Sequence, residues 1–325
     1  MKNISAFVKM LTADCQLPTA NWVIRRPIFF FVSRSKVRTH GKNGRTHGSS
    51  PTVTRLLSQF LILLLLASCD IIEAPFMETS KGDTTAIANP QKVLLFDFTG
   101  HTCKSCPKAH KSIEQLIGLY GDRLVPVAFH LGYFAKPLTS GKFSTDFRTS
   151  EGTLLEKHFE FTSFPIGSVQ TLNSQQLQPY ASWPAAVAAN ITGNAPVRIG
   201  IAVNYLSGLN AVTAKISLTA MESVTGQLNL AVYLVEDSII DWQKDEDFDP
   251  MDIPDYVHNH VFRTSLNGLW GQTVGNADGI AKDYIFETEF SKILNTGWKV
   301  ENCVLIAFVY RQDTREVLQV ETKKF

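Results

Sequence analysis

An α/β domain followed by an all-β, sandwich-like domain is the fold class that this 325-residue sequence predicts, and three observations predict it. First, an apolar run, KVLLFDF at 92–98, leads through a Cys-x-x-Cys pair into an amphipathic segment and then into a second apolar run, DRLVPVAFHLG at 122–132. That order reads strand, cysteine pair, helix, strand. Second, the chain after residue 197 alternates apolar and polar residues in several short segments, the mark of strands with one face buried. Third, the turn-rich stretch ITGNAPV, 191–197, separates the two patterns. A chain of this length can build two cores. The expected divisions are 91–194 for the α/β domain and 195–325 for the β domain.

The charge balance divides the N-terminus from the rest. Residues 1–68 hold ten Lys and Arg against one Asp, so the chain from Cys69 onward carries 21 basic and 29 acidic residues and a net charge of about −8. Nucleic acid is thereby excluded as a partner, because phosphate binding needs clustered positive charge. Within 53–69, Arg55 precedes an apolar run from Phe60 to Ala67, small residues and a cysteine, the composition of an export signal. The run is shorter than the roughly 20 residues that span a bilayer. Its ending, Leu66-Ala67-Ser68-Cys69, resembles the lipobox of bacterial lipoproteins, which implies that Cys69 is acylated and that membrane lipid is a partner. Residues 1–52 are basic and aperiodic, and are expected to be a non-native or cleaved extension. Residues 70–90 lack apolar periodicity and are expected to be a tether.

In the first domain, Val93 to Phe98 has the continuous apolarity of a strand buried on both faces. Pro107 suits the first turn of a helix, where its missing N–H would be unpaired anyway. Ala109, Ile113, Leu116, Ile117 and Tyr120 give that helix one apolar face, and Gly121 ends it. A cysteine pair at a helix start exposes the first thiol to unpaired N–H groups and the positive end of the helix dipole, which favours a thiolate. Lys104, Lys108 and Lys111 add positive charge. Three readings of Cys103 and Cys106 remain open here: a redox pair, a structural disulfide of an exported protein, and half of a metal site. The last lacks partners, since Cys15 is upstream of the signal, Cys69 is assigned to lipid and Cys303 is some two hundred residues away. Neither metal nor any other cofactor is expected. From Gly132 to Gly152 a long connection is expected to form a lid or a partner-binding loop.

LLFDFTGHTCKSC resembles the active-site region of thioredoxin-like proteins, with Asp97 six positions before Cys103. FEFTSFPIGSV, 159–169, is similar to the segment of that family carrying a cis-proline, which makes Pro165 the candidate. The resemblance implies an α/β thioredoxin-like domain followed by an all-β sandwich-like domain, with Cys103 as attacking thiol, Cys106 as resolving thiol, Asp97 as proton acceptor and Pro165 on the substrate-docking edge. Thr102 replaces the usual Trp, and Lys-Ser replaces the usual Gly-Pro between the cysteines, which leaves the redox direction open.

In the second domain, Val212, Ala214, Ile216 and Leu218 face one way and Thr213, Lys215, Ser217 and Thr219 the other. Ile199, Ile201 and Val203 repeat the pattern, as do Leu228, Leu230, Val232 and Leu234. Strands are also expected at 256–264, 283–290, 302–310 and 316–323. The loop DWQKDEDFDPMDIPD gathers Asp245, Asp247 and Asp249, weak candidates for calcium; it lacks the glycine and spaced glutamate of an EF-hand loop, and such loops are usually solvated. His258 and His260, two apart on an expected strand, would share a face and are weak metal candidates with no third ligand. Cys303 reads as a small core residue.

Lipobox, tether, FTGHTCKSCPKAH, FPIG, YLVED and HNHVFR together resemble the twenty-eight-kilodalton outer-membrane lipoprotein family of Bacteroidetes. That resemblance implies a lipid-anchored protein of the cell envelope at the outer membrane. Two function classes follow. One is thiol-disulfide exchange with the thiols and disulfides of envelope proteins; the other is a surface-exposed binding or adhesion lipoprotein in which the Cys103–Cys106 pair is a structural disulfide and the first domain a scaffold.

Overall fold

Strand β1 (Val93–Thr99) is buried at all seven positions, as its continuous apolarity predicts. In this computed structural model, which describes residues 89–161 and 163–325, β1 runs parallel to β2 (Leu124–His130), with Val93 opposite Leu124 and Thr99 opposite His130. On its other edge β1 pairs antiparallel with β3 (Ile166–Val169), Leu95 opposite Val169. The extension 1–52, the signal and Cys69, and the tether up to residue 88 lie outside the described residues.

Helix α1 (Cys106–Tyr120) carries Pro107 in its first turn and ends at Gly121, whose φ of 60° is one that a side chain would resist. Its buried positions Ala109, Ile113 and Leu116 pack with Val93, Leu95, Leu124 and two residues of α3 (Trp183–Asn190), Trp183 and Val187. Each buried Val, Leu or Ile among them contributes roughly 1.5–3 kcal/mol by leaving water. Helix α2 (Ser150–Phe159) is capped by the Thr149 hydroxyl, which accepts the Gly152 N–H at 2.9 Å. Its Leu155 and Phe159 join Leu94, Phe96 and Phe98 in a separate cluster.

The remaining chain enters the same sheet rather than building one of its own. β2 also pairs, in parallel, with β10 (Val261–Ser265), Ala128 opposite Val261. β10 pairs antiparallel with β7 (Leu228–Glu236), β7 with β14 (Cys303–Arg311), and β14 with β15 (Val317–Lys324). A short strand, β11 (Gln272–Val274), adds to β7 and completes an eight-stranded sheet of order β15-β14-β7-β10-β2-β1-β3. On one face of its C-terminal strands lies a three-stranded sheet of β4 (Val197–Leu206), β5 (Ala211–Ala220) and β13 (Ile285–Ile293). Val212, Ile216 and Leu218 meet Leu230, Val232 and Leu305 there, the sandwich layer that the alternation predicts. Two-residue strands β6 (Val224–Thr225) and β12 (Gly279–Ile280) pair with each other.

The protein is thus β-rich, with three helices among the described residues. The junction expected at 194/195 is a turn-rich connection, but the sheet crosses it: Phe96 and Phe129 share one core with Tyr233, Phe262 and Phe308. The described residues, from Asn89 onward, fall in one compact unit. β7, expected to be buried on one face, is buried on both, because the aromatic core lies on the side opposite the three-stranded sheet. The strand expected at 256–264 is two strands. β9 (Asp252–His258) ends at His258, and His260, with φ of 59°, turns the chain into β10. β9 pairs with β8 (Ile239–Lys244), and the two make a hairpin between β7 and β10.

Candidate functional site

Cys103 and Cys106 form a disulfide, with their Cα atoms 5.4 Å apart. Cys106 is the first residue of α1, so Cys103 lies in the turn before it. The Cys103 N–H donates to Gly100 O at 3.0 Å, and its carbonyl accepts the Cys106 N–H at 3.3 Å. Neither cysteine offers appreciable surface, with exposure of 2% at Cys103 and 0% at Cys106.

The β8–β9 hairpin lies against this turn. Lys244 N–H donates to His101 O at 2.8 Å and Glu246 N–H to Lys104 O at 2.9 Å. Between them the buried side chain of Gln243 donates to Cys103 O at 3.1 Å and reaches Gly100 O at 3.4 Å. From the connection after β2, Phe134 O accepts the Thr102 N–H and hydroxyl at 3.0 and 2.9 Å. Gly100 permits that approach, since a Cβ there would stand 2.5 Å from the Phe134 carbonyl carbon. The expected lid at 132–152 is thus bonded to the cysteine turn, with Phe143 and Phe147 buried.

Charge pairing explains the acidic loop. Lys108 Nζ is 2.8 Å from Glu246 and 3.5 Å from Asp247, Lys104 is 3.6 Å from Glu246, and Lys111 lies 3.6 and 3.7 Å from Asp247 and Asp245. The Lys108 ammonium holds the Glu246 carboxyl below its usual range. Asp245 is buried and accepts the Asp247 N–H at 3.0 Å, while Asp249 precedes a cis proline, Pro250. Asp245 and Asp247 are spread over the lysines of α1, and among the described residues no group of three carboxylate, histidine or cysteine side chains is placed to hold a metal. The lysines expected to favour a thiolate are themselves engaged by these carboxylates.

Asp97, in the middle of β1, has no exposed surface. His110, on α1, places Nε2 3.3 Å from Asp97 Oδ2. The contact has the distance of an ion pair without the alignment of a hydrogen bond, as both Asp97 oxygens lack an aligned partner. The aligned neighbours of His110 are the Thr99 hydroxyl, 3.0 Å from Nε2, and the Tyr256 hydroxyl on β9, 2.6 Å from Nδ1. Burial, with the charges of Glu114 and Asp97, pushes the Tyr256 phenol well above its usual range. Beside these groups is a cavity of about 30 Å³, lined in part by Asp97, His110, His130, Tyr256 and His258.

His258 and His260 do not share a face. The His258 ring is buried, 5.5 Å from that of His130 and 5.1 Å from that of Phe147, and burial pushes its pKa down to about 3. His130 is pushed well down by the same cause. His260 faces Asp237 instead: its N–H donates to Asp237 Oδ1 at 2.7 Å and its Nδ1 lies 3.2 Å from the same oxygen. Pro165 follows a cis peptide bond and leads into β3, beside β1 where Phe98 pairs with Ile166 and Asp97 with Gly167. Cys303 is a buried free thiol pushed up to about 12, mainly by burial, and therefore unreactive.

The roles of His110, Tyr256 and Gln243 at this site were not legible in the sequence. His110 had a local signal, four residues after Cys106 and so on its side of the helix. The other two arrive from the far side of the sequence.

The model of the outer membrane protein Omp28 family matches residues 153–325, which leaves the cysteine pair upstream of the match. Among solved structures, HBP35 of Porphyromonas gingivalis is 16% identical, with a TM-score of 0.53 over 75% of this chain and 77% of that one, a likeness of fold. A domain of the outer membrane lipoprotein Omp28 from Porphyromonas gingivalis is 20% identical over 41% of this chain and 91% of its own, with a TM-score of 0.28. No curated protein matches the chain.

Proposed function

The chain belongs to the Omp28 family of outer membrane proteins, and from that premise we propose that it is a lipid-anchored protein of the outer membrane whose thioredoxin-like unit exchanges disulfides with envelope proteins through Cys103 and Cys106. The observation that carries this reading is a joined cysteine pair at the start of α1, next to a strand that buries a carboxylate, Asp97, and next to a second strand that begins after the cis bond of Pro165. Cys103 attacks the partner disulfide, Cys106 resolves the mixed disulfide, Asp97 takes the Cys106 proton, and Pro165 forms the edge on which the partner rests. Acylated Cys69 supplies the anchor.

Exchange of this kind proceeds by thiolate attack through a mixed disulfide. Cys106→Ser is therefore expected to trap partner proteins through Cys103, and Cys103→Ser to trap none. A pair that resists strong reductants, with neither variant trapping a partner, overturns the reading. Mass spectrometry of the membrane-extracted protein tests the anchor: the mature chain is expected to begin at an acylated Cys69, and an unmodified Cys69 refutes it.

The second reading, a binding lipoprotein with a structural disulfide, is favoured by one specific observation, the burial of both cysteines in a turn to which the β8–β9 hairpin is bonded.

A further inference from the structure

A proton that reaches Asp97 has no direct way out, because the carboxylate is wholly buried. The side chain of His110, 18% exposed, joins it to the surface from 3.3 Å. We propose that His110, held by the Tyr256 hydroxyl of the β8–β9 hairpin, relays the proton between Asp97 and solvent during exchange at the Cys103–Cys106 pair; the proposal rests on the redox reading given above.

Geometry selects His110 from its neighbours. The other titratable groups at the cavity are His130 of β2, His258 of β9, Glu114 of α1 and His260 at the turn after β9. Burial keeps His130 and His258 neutral, so neither takes up a proton in the physiological range. His260 is engaged with Asp237. Lys111, also on α1, is engaged with the acidic loop. Tyr256 keeps its own proton, and its hydroxyl oxygen accepts the His110 Nδ1 proton. That tautomer leaves Nε2 unprotonated toward Thr99 and Asp97, where it can take up the Asp97 proton. The cavity, at about 30 Å³, has room for one bridging water.

In the resolving step, Cys106 loses its proton to Asp97 and its sulfur attacks Cys103 Sγ. The Cys103–Cys106 bond forms, the bond from Cys103 to the partner sulfur breaks, and the partner leaves as a thiolate with that electron pair. The cysteine pair is oxidised, the partner disulfide is reduced, and Asp97 passes its proton on through His110. His110 touches neither sulfur in this scheme and acts through Asp97.

The test uses the full chain, reduced and then reacted with an aromatic disulfide whose released thiolate is coloured. Resolution by Cys106 releases a second equivalent of colour, followed between about pH 5 and pH 9 across the histidine range. The unsubstituted protein is expected to show a rate with a midpoint in that range. His110→Gln is expected to lose the midpoint and to slow on the order of tenfold or more. Tyr256→Phe, which keeps the imidazole, is expected to shift the midpoint. No second release from the unsubstituted protein refutes the redox reading itself. Release with a profile that His110→Gln leaves unchanged refutes the relay alone; if that variant does not fold, an unchanged midpoint in Tyr256→Phe does the same.

Discussion

The side-chain amide of Gln243 donates to the main-chain carbonyl of Cys103 at 3.1 Å across 140 residues of sequence, and it is the buried part of the contact between the β8–β9 hairpin and the disulfide turn. Gln243→Ala removes that donor and leaves the Cys103 and Gly100 carbonyls short of a partner, at a cost of about 1–3 kcal/mol. The disulfide is expected to be reduced several-fold faster by a small dithiol, because the turn that carries both cysteines loses a buried tie to the hairpin. An unchanged rate would assign the protection of the disulfide to the connection after β2 instead.

Replacing Asp97 by Asn is expected to separate stability from activity. A carboxylate without an aligned donor is costly to bury, so the amide should leave the urea midpoint equal or higher. Resolution of the mixed disulfide should slow, since the amide accepts no proton. A lowered midpoint would mean that the contact with His110 stabilises the fold.

Acid should destabilise the protein through His258 and His130. Their folded-state pKa values lie below the unfolded value, at about 3 for His258. Between pH 6.5 and 3 the unfolded chain therefore binds more protons than the folded one, and stability falls as pH falls through that window. Urea midpoints at pH 7 and pH 4 measure the loss. His258→Phe, which fills the same aromatic site without titrating, is expected to reduce the slope; an identical slope would exclude His258 as its source.

Residues 89–325 should unfold in one transition. Phe96 and Phe129 lie against Tyr233, whose phenol donates to Leu269 O at 2.6 Å, so neither expected domain closes its core alone. Limited proteolysis at 191–197 should yield no pair of stable pieces, and a fragment from residue 195 should expose the aromatic face and aggregate. Two separate melting transitions, one for each half, would contradict the shared core.

Local pattern made some features legible and distance hid the rest. The apolar run Val93–Phe98, Pro107 and the alternation from Ala211 to Ala220 each act within a few residues, and the elements form as expected. Pro165 was legible through its neighbours in sequence. The join of Ala128 to Val261 has no periodic signature, because either strand would look the same beside another partner. β7 reads as half-buried if only Leu228, Leu230, Val232 and Leu234 are counted; Tyr233 and Val235 reveal its second face once a partner for them is known. Lys104, Lys108 and Lys111 and the loop at 245–247 were visible as two charge clusters, whose mutual pairing only the hairpin supplies.

The parallel join of β2 to β10 constrains the order in which the chain can fold as it is made and exported. β1, α1 and β2 emerge early, yet the outer edge of β2 stays without its strand until Val261 arrives, after β4 to β9 have passed. Until then Val127 and Phe129 await the side chains of β7 and β10 that complete their core. Contacts so distant in sequence form slowly, and an uncovered apolar edge invites pairing with other chains. Delivery of this protein across the envelope should therefore depend on holding chaperones for longer than that of a protein whose first hundred folded residues close their own sheet.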